Sequence, residues 1–445
     1  MRFVFIIYRV DSRPKPDFTN TIKAKKELQV CTTPTRYEGF AAAMAQAIDK
    51  LAQLDKDKKK EYEELNDIKR FKTEMKKRKW VDYKPDVTAE ESVSKKANFD
   101  PSTRVKRKKT AILLGYSGAN YFGMQRNPGM ATIEEELFKV MLKHKWITDD
   151  SFEQAQNACF QRAARTDKGV SAARQVCSAK LPEELKIEAV NADLPEQIRV
   201  FAIERVTKGF NAKDQCNART YTYTLPSIAF GSCSKQHNLE DYRTDSETLH
   251  EVTSVLKLYE GTQNFHNFTS RKNFNDPSAK RYIMSFSCSE PFLSPGGIEF
   301  LTLKVKGQSF MLHQIRKMVG LVIAVVRGNT TRTTIERAFT EERLDLPMAP
   351  GLGLVLDTVH YERYNNRYGT DGIHKPLTWL SQEEQINEFV EKYIYANIYK
   401  TEQTEQSMFN WLQTLSLHSY ETRKDEPATD LEKATKNNRN DDNEE

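Results

Sequence analysis

Apolar and polar positions along the chain change period several times, and each change marks an element. Residues 110–115 carry the unbroken apolar run Ala111 to Leu114, which reads as a strand. Residues 132–143 read as a helix, with Thr132 as N-cap and Glu135 three residues on. Alternation of period two returns at 175–181, 199–206 and 219–225, with Pro195 and Gly209 punctuating the connections. An amphipathic helix is expected at 246–259, strands at 282–289 and 298–305, and a long apolar helix at 310–326. In that last helix Met311, Ile315, Met318, Val322 and Val326 form one stripe, while Arg316 lies on a neighbouring face from which it can emerge at a cleft. Arg316 and Lys317 would put two charges inside hydrocarbon, and the stretch is short, so it is a core helix and not a membrane span. Sheet and helix alternate along this region.

Outside this region the patterning weakens. Residues 42–80 are rich in Ala, Lys, Glu and Leu without a continuous apolar face, as expected of a helical but loosely attached extension. Residues 383–396 are again helix-like, with aromatic side chains to pack against a lobe, and order is expected to fade near Arg423. No repeat of solenoid length is present.

Composition adds bounds. A chain of 445 residues can bury a substantial core, yet 29% charged residues imply long solvated additions, so two lobes with tails are expected. The net charge of +6 is too small to identify a nucleic-acid binder by itself. Its distribution says more: basic residues crowd 56–79 and 104–109, whereas 425–445 is polar and increasingly acidic. Such basic tracts suit RNA phosphates or a nuclear import signal, though most are plain solvated surface. The six cysteines include no Cys-x-x-Cys pair, which argues against a zinc knuckle or a disulfide framework and fits a reducing compartment. The apolar residues 1–10 are too short to cross a bilayer. Arg2, Arg9 and Arg13 suit a mitochondrial presequence, but Asp11 and Asp17 come early for one, so nucleus and mitochondrion both stay open.

Candidate chemistry centres on Asp167. Apolar and small residues lead up to it from Ala158, Gly169 follows it, and the alternating strand comes next, so the carboxylate sits on a tight connection between strands, flanked by Arg165 and Lys168. A neighbouring guanidinium favours the ionised form and desolvation in a cleft opposes it. The resulting poised anion can attack carbon or take a proton. Taken alone, the same residues describe an ordinary solvated turn.

Other segments decide between these readings. Arg165-Thr166-Asp167-Lys168-Gly169-Val170-Ser171-Ala172 resembles the active-site signature of tRNA pseudouridine synthases of the TruA family, Arg-Thr-Asp-x-Gly-Val-x-Ala, at every position. Three further blocks resemble that family in the same order: 116–126 with the helix start at 132–137, Ala218-Arg219-Thr220-Tyr221-Thr222-Tyr223, and 307–320. The likeness runs from about Thr110 to about Tyr361, and 265–269 and 349–354 are most similar to its eukaryotic branch.

The resemblance implies an α+β architecture of the pseudouridine synthase fold: two ferredoxin-like lobes sharing a central, mainly antiparallel sheet, with helical N- and C-terminal extensions. Boundaries are expected at 1–104 (basic extension), 105–210 (N-terminal lobe carrying the Asp motif), 211–365 (C-terminal lobe) and 366–445 (helical, then acidic tail). It implies Asp167, Tyr221 and Arg316 as catalytic residues, with Arg316 pairing Asp167 and Tyr221 retaining the freed uracil. Arg165 would hold the target nucleotide out of the stack. Charge adds Lys168, Arg126, Arg271 and Lys272 as phosphate contacts, and Ile315 and Met318 as pocket walls, although core packing is the default for both. The stretch 264–270 suits either RNA contact or a packed turn. The reaction needs no cofactor and no metal. The implied partner is tRNA, with other structured RNAs also open, as monomer or homodimer. The rival classes are an RNA-binding or tRNA-chaperone protein that kept the cleft but lost turnover, and a metal nuclease, whose clustered acidic ligands are not visible around Asp167.

Overall fold

The computed structural model describes residues 105–234, 238–270 and 272–422. The expectations for 42–80, for Arg271 and for the acidic tail fall outside the described residues.

The described chain is built on one ten-stranded sheet. Its strands are β1 (Arg107–Tyr116), β2 (Gln161–Arg162), β3 (Ser171–Pro182), β4 (Ile198–Arg205), β5 (Ala218–Pro226), β6 (Gly261–Asn264), β7 (Lys280–Cys288), β8 (Phe292–Leu293), β9 (Glu299–Gly307) and β10 (Leu354–His360). The order is β4-β1-β3-β10-β5-β9-β7-β6, with β2 on β3 and β8 on β9. Every pairing is antiparallel except β3 with β10, which run parallel and pair at Val355 with Ser171 and Leu356 with Ala172. This is the mixed architecture expected, a large and mostly antiparallel sheet with helices.

Helix α1 (Ile133–Lys143) starts where the sequence indicates: the Thr132 side chain accepts from the Glu135 N–H, satisfying a donor that the first turn leaves free. Helix α2 (Ser246–Lys257) is capped likewise by Asp245, and its Val252, Val255 and Leu256 are fully buried. Helix α3 (Gln314–Val326) begins four residues later than the apolar pattern suggests. His313 takes the left-handed conformation (φ 63°) and the Gln314 side chain accepts from the Met311 N–H at 2.9 Å, so 310–313 forms a turn and not a helical stretch. At the C-terminus α4 (Glu383–Phe389) runs through a π-helical segment, Val390–Tyr395, into α5 (Ala396–Glu405) and α6 (Ser407–Leu412). Aromatic contacts fix this extension to the sheet: Phe389 meets Phe201 of β4 edge-on at 5.6 Å, and Tyr399 meets Phe300 of β9 at 4.9 Å.

The 264–270 stretch is a packed turn. Phe265 and Phe268 are fully buried around Tyr259 and Phe339, and Asn267 bonds the carbonyls of Ala338 and Glu342. From there Thr269 donates to the Leu312 carbonyl and Lys317 to the Asn267 carbonyl, both at 2.9 Å, bracing the turn that carries His313.

Candidate active site

β3 and β10 run parallel and pair near their first residues, and the Asp167 turn lies at that end of β3. Asp167 lies four residues before β3 begins, in a turn closed by a bond from the Val170 N–H to its own carbonyl (3.1 Å). Gly169 sits at φ 77° and donates to the Tyr121 carbonyl, so the turn needs a residue tolerant of that region. Gly123 approaches from outside. A Cβ there would lie 2.7 Å from the Thr166 carbonyl oxygen, which explains a glycine at a position whose own φ is 92°. Beneath the turn, Thr166 and the buried Tyr116 hydroxyl are 2.8 Å apart, and the Gln175 amide both donates to the Ala164 carbonyl and accepts from its N–H. The Asp167 carboxylate is thereby held on a rigid support with its side chain 30% exposed.

The opposite wall comes from β5 and the start of α3. Register places Tyr221 beside Leu356 of β10, which in turn lies beside Ala172 of β3. Two strand spacings therefore separate Tyr221 from the strand that follows Asp167, about 10 Å. The Tyr221 ring meets Phe310 edge-on at 5.2 Å and is almost fully buried. Burial pushes its hydroxyl up to about 12, with the Asp167 charge adding to the shift, so it is neutral at ordinary pH. Tyr223, on the same face of β5, spends its hydroxyl on the Pro350 carbonyl (2.6 Å), a structural anchor.

Asp167 is held above the usual carboxylate range, first by desolvation, against the pull of His313 and then of Arg316. His313 Nε2 lies 3.9 Å from Asp167 Oδ2. Burial lowers the imidazole's pKa, with Asp167 opposing and Arg316 and Lys317 assisting. Arg316 does not make the direct pair with Asp167 that was expected. Its Nε donates to the Ala349 carbonyl at 2.8 Å, and it acts on the carboxylate through space from beside Gly351. The physical reason is the segment at 349–351, which offers a carbonyl closer than the carboxylate.

The other expected residues divide. Arg165 and Lys168 are exposed at the turn, with the Lys168 ammonium 4.6 Å over the Phe122 ring. Arg126 is consumed internally: it pairs with Glu135 at 2.6 Å, donates to the Phe152 carbonyl, and lies over the rings of Phe138 and Phe152. It fastens the loop to α1 and keeps its side chain 25% exposed. Lys272 pairs with Asp276 at 2.7 Å while staying partly exposed. Ile315 is nearly enclosed and Met318 is fully enclosed by the core, so Met318 lends no accessible surface to a pocket.

Two residues escaped sequence reasoning. Arg219 donates twice to the Ala163 carbonyl (2.6 and 3.1 Å) and once to the Gln308 carbonyl (3.1 Å), joining the segment before Asp167 to the one before Phe310 and His313. Its signal was its place two residues before Tyr221 in the Ala-Arg-x-Tyr block. His313 was visible in the 307–320 block, but its nearness to Asp167 depends on a left-handed backbone that no pattern marks.

A family model described as tRNA pseudouridine synthase matches residues 255–362, a span that contains Arg316 and His313 but not Asp167 or Tyr221. The Pseudouridylate synthase 1 homolog of Mus musculus is 48% identical over 326 residues, covering 72% of this chain and 77% of the relative. Its Homo sapiens counterpart is 49% identical over 314 residues (69% and 73%), and tRNA pseudouridine synthase 1 of Yarrowia lipolytica is 33% identical over 386 residues (67% and 72%). Joined to the sheet architecture, these likenesses define an RNA pseudouridine synthase, an isomerase. Within that class the chain belongs to the TruA family of tRNA pseudouridine synthases. Among the described residues no helix is long and apolar enough to cross a membrane.

Proposed function

We propose that the chain isomerises specific uridines of tRNA, chiefly in the anticodon arm, to pseudouridine, with Asp167 acting directly on the ribose. The observation that carries this reading is the partly exposed carboxylate on its braced turn, with a cation on one side and an enclosed aromatic ring across the sheet. The reaction breaks the bond from ribose C1′ to uracil N1 and forms one from C1′ to C5; C5 loses a proton and N1 gains one. Asp167 can add to C1′ as N1 departs and leave when C5 attacks, or it can take the proton from C2′ as N1 departs, giving a glycal, and return it to C2′ as C5 adds to C1′. Either route requires the ionised carboxylate. Arg316 favours that form, as does His313 when protonated, although burial lowers the imidazole's own pKa; desolvation keeps the anion reactive.

Tyr221 supplies a flat face on which freed uracil can turn without a fixed hydrogen-bond orientation. Its high pKa suits it to relay the C5 proton as a neutral hydroxyl and not as a standing phenolate. Arg165 and Lys168, exposed beside the turn, suit the backbone of an extruded nucleotide. On this reading 105–210 and 211–365 are two lobes; the strand order supports it, since β4, β1 and β3 lie to one side of the β3–β10 junction and β5, β9, β7 and β6 to the other. The basic tracts and the arginines among the first 13 residues suit the nucleus or the mitochondrion as the compartment of action.

The test is to map pseudouridine at single-nucleotide resolution in tRNA from cells lacking the protein and complemented with wild type or Asp167→Ala. Anticodon-arm sites restored by wild type alone support the proposal. Sites unchanged by loss of the protein, or restored equally by the variant, refute it.

A further inference from the structure

His313 holds a left-handed conformation that a residue with a side chain keeps only where its surroundings over-determine it, and those surroundings lead back to one buried amide. The carbonyl before it, that of Leu312, accepts from the Thr269 hydroxyl at 2.9 Å. The Lys317 ammonium, one turn along α3, donates to the Asn267 carbonyl at 2.9 Å. Both ties end on the 267–269 turn, so the place of that turn sets the place of His313. The turn is fixed in its own right by the Asn267 side chain, whose Nδ2 donates to the carbonyls of Ala338 (2.9 Å) and Glu342 (2.7 Å) and whose Oδ1 accepts from the Leu344 N–H (3.0 Å). The receiving segment is pinned where Arg337 pairs with Glu342 and Glu421.

Packing alone does not call for an amide at this position. Phe265 and Phe268 on either side are fully buried against Phe339 and supply the apolar contact that stabilises the turn. A buried polar side chain costs stability unless its bonds are made. Asn267 makes three, using both N–H groups and its oxygen, a pattern for which aspartate lacks the donors and leucine has nothing to offer. A satisfied buried network of this kind selects one arrangement of the segments it joins.

We propose that Asn267 is a positioning residue for the active site: through the turn it anchors, it holds the His313 imidazole at the Asp167 carboxylate. His313 Nε2 stands 3.9 Å from Asp167 Oδ2, near enough for each charge to act on the other and too far for a direct hydrogen bond. The other charged groups that face the imidazole are Arg316 and Lys317 of α3, and Arg316 faces the carboxylate as well. That this pair serves uridine isomerisation rests on the function proposed above; that Asn267 sets the pair does not.

The experiment measures the coupling of the two groups in the full chain. The titration of the His313 imidazole is followed by NMR, its signal assigned with H313A, with and without D167N, in wild type, N267A and T269V. Arg316 and Lys317 are present throughout, so their effect cancels from the comparison. In wild type D167N removes the facing anion and lowers the His313 midpoint by about 0.5 to 1 in pH, the size expected of unit charges ~4 Å apart with solvent between them. In N267A the same substitution should move the midpoint by less than about a third of that, since the two groups no longer meet. T269V keeps the volume, loses only the hydroxyl bond to Leu312, and should show the same loss in part; it decides the question if N267A does not fold. Single-turnover isomerisation of tRNA by N267A should fall about 10- to 100-fold with Kd for tRNA within twofold. An equal effect of D167N in all three backgrounds, or a wild-type single-turnover rate in folded N267A, overturns the proposal. The NMR arm needs no turnover, so a failure of the tRNA-modifying reading shows separately, as a wild type that forms no pseudouridine.

Discussion

Replacing Arg219 by alanine removes three charge-assisted hydrogen bonds at once and leaves the carbonyls of Ala163 and Gln308 without their donor. Hydrogen bonds to a charged group contribute about 1.5 to 3 kcal/mol each, and water can replace part of that at the exposed Gln308 end, so a loss of about 2 to 4 kcal/mol in folding stability is expected. The catalytic effect should be larger than the stability loss suggests. The two carbonyls belong to the segments that set Asp167 opposite Tyr221 and His313, and a misplacement of about 1 Å between reacting groups can cost on the order of 100-fold. Urea unfolding gives the first quantity and single-turnover isomerisation of tRNA at saturating enzyme the second. R219K should keep part of both, since an ammonium reaches one carbonyl but cannot fork between two. A folded R219A enzyme with wild-type single-turnover rate would refute the view that this guanidinium holds the two walls in register.

Further outcomes follow from the titrating groups. Because Asp167 must be ionised and is raised by desolvation, the single-turnover rate should fall on acidification at a pH above the ordinary carboxylate range; H313A removes a cation that lowers this pKa, so its acid limb should move to higher pH. The same raised pKa means the folded state binds the proton more tightly than the unfolded chain, so ionised Asp167 costs stability at neutral pH. Asp167→Asn should abolish turnover while raising the urea midpoint at pH 7, and the gain should vanish below the unfolded pKa; a lowered midpoint at pH 7 would contradict this. Glu402 is buried, accepts from the Met408 N–H, and is raised from 4.5 to about 7. Its contribution is complete below pH ~4.5 and lost as pH rises to 7, so E402Q should gain about 3 kcal/mol over wild type at pH 8 relative to pH 4. Equal pH profiles for the two proteins would refute the buried, protonated carboxyl.

Much of the fold was legible because its elements obey simple periods. The cap at Thr132, the strands around 110–115, 175–181 and 219–225, and the helix at 246–259 all appear within a few residues of where the pattern places them. β10 was not singled out as a strand. Its apolar run is short and follows a segment of Pro, Gly and Leu whose role is tertiary, since a Cβ at Gly353 would meet the Thr224 carbonyl at 2.1 Å. Motif marked Asp167, Tyr221 and Arg316 as candidates, whereas how they lie relative to one another it did not show. Arg316, expected to pair with Asp167, is instead a through-space neighbour, and the nearer group, His313, arrives through a left-handed turn. At Arg126 charge alone does not reveal that Glu135 and two phenylalanine rings engage the guanidinium.

The most direct test of the central claim is release of tritium from tRNA carrying 5-tritiated uridine, with wild type and Asp167→Ala compared at enzyme excess and tRNA binding measured alongside. The account predicts release by the wild type, none by the variant, and undiminished tRNA binding by both. Release at equal rates from the two proteins, or binding without release from either, would contradict it.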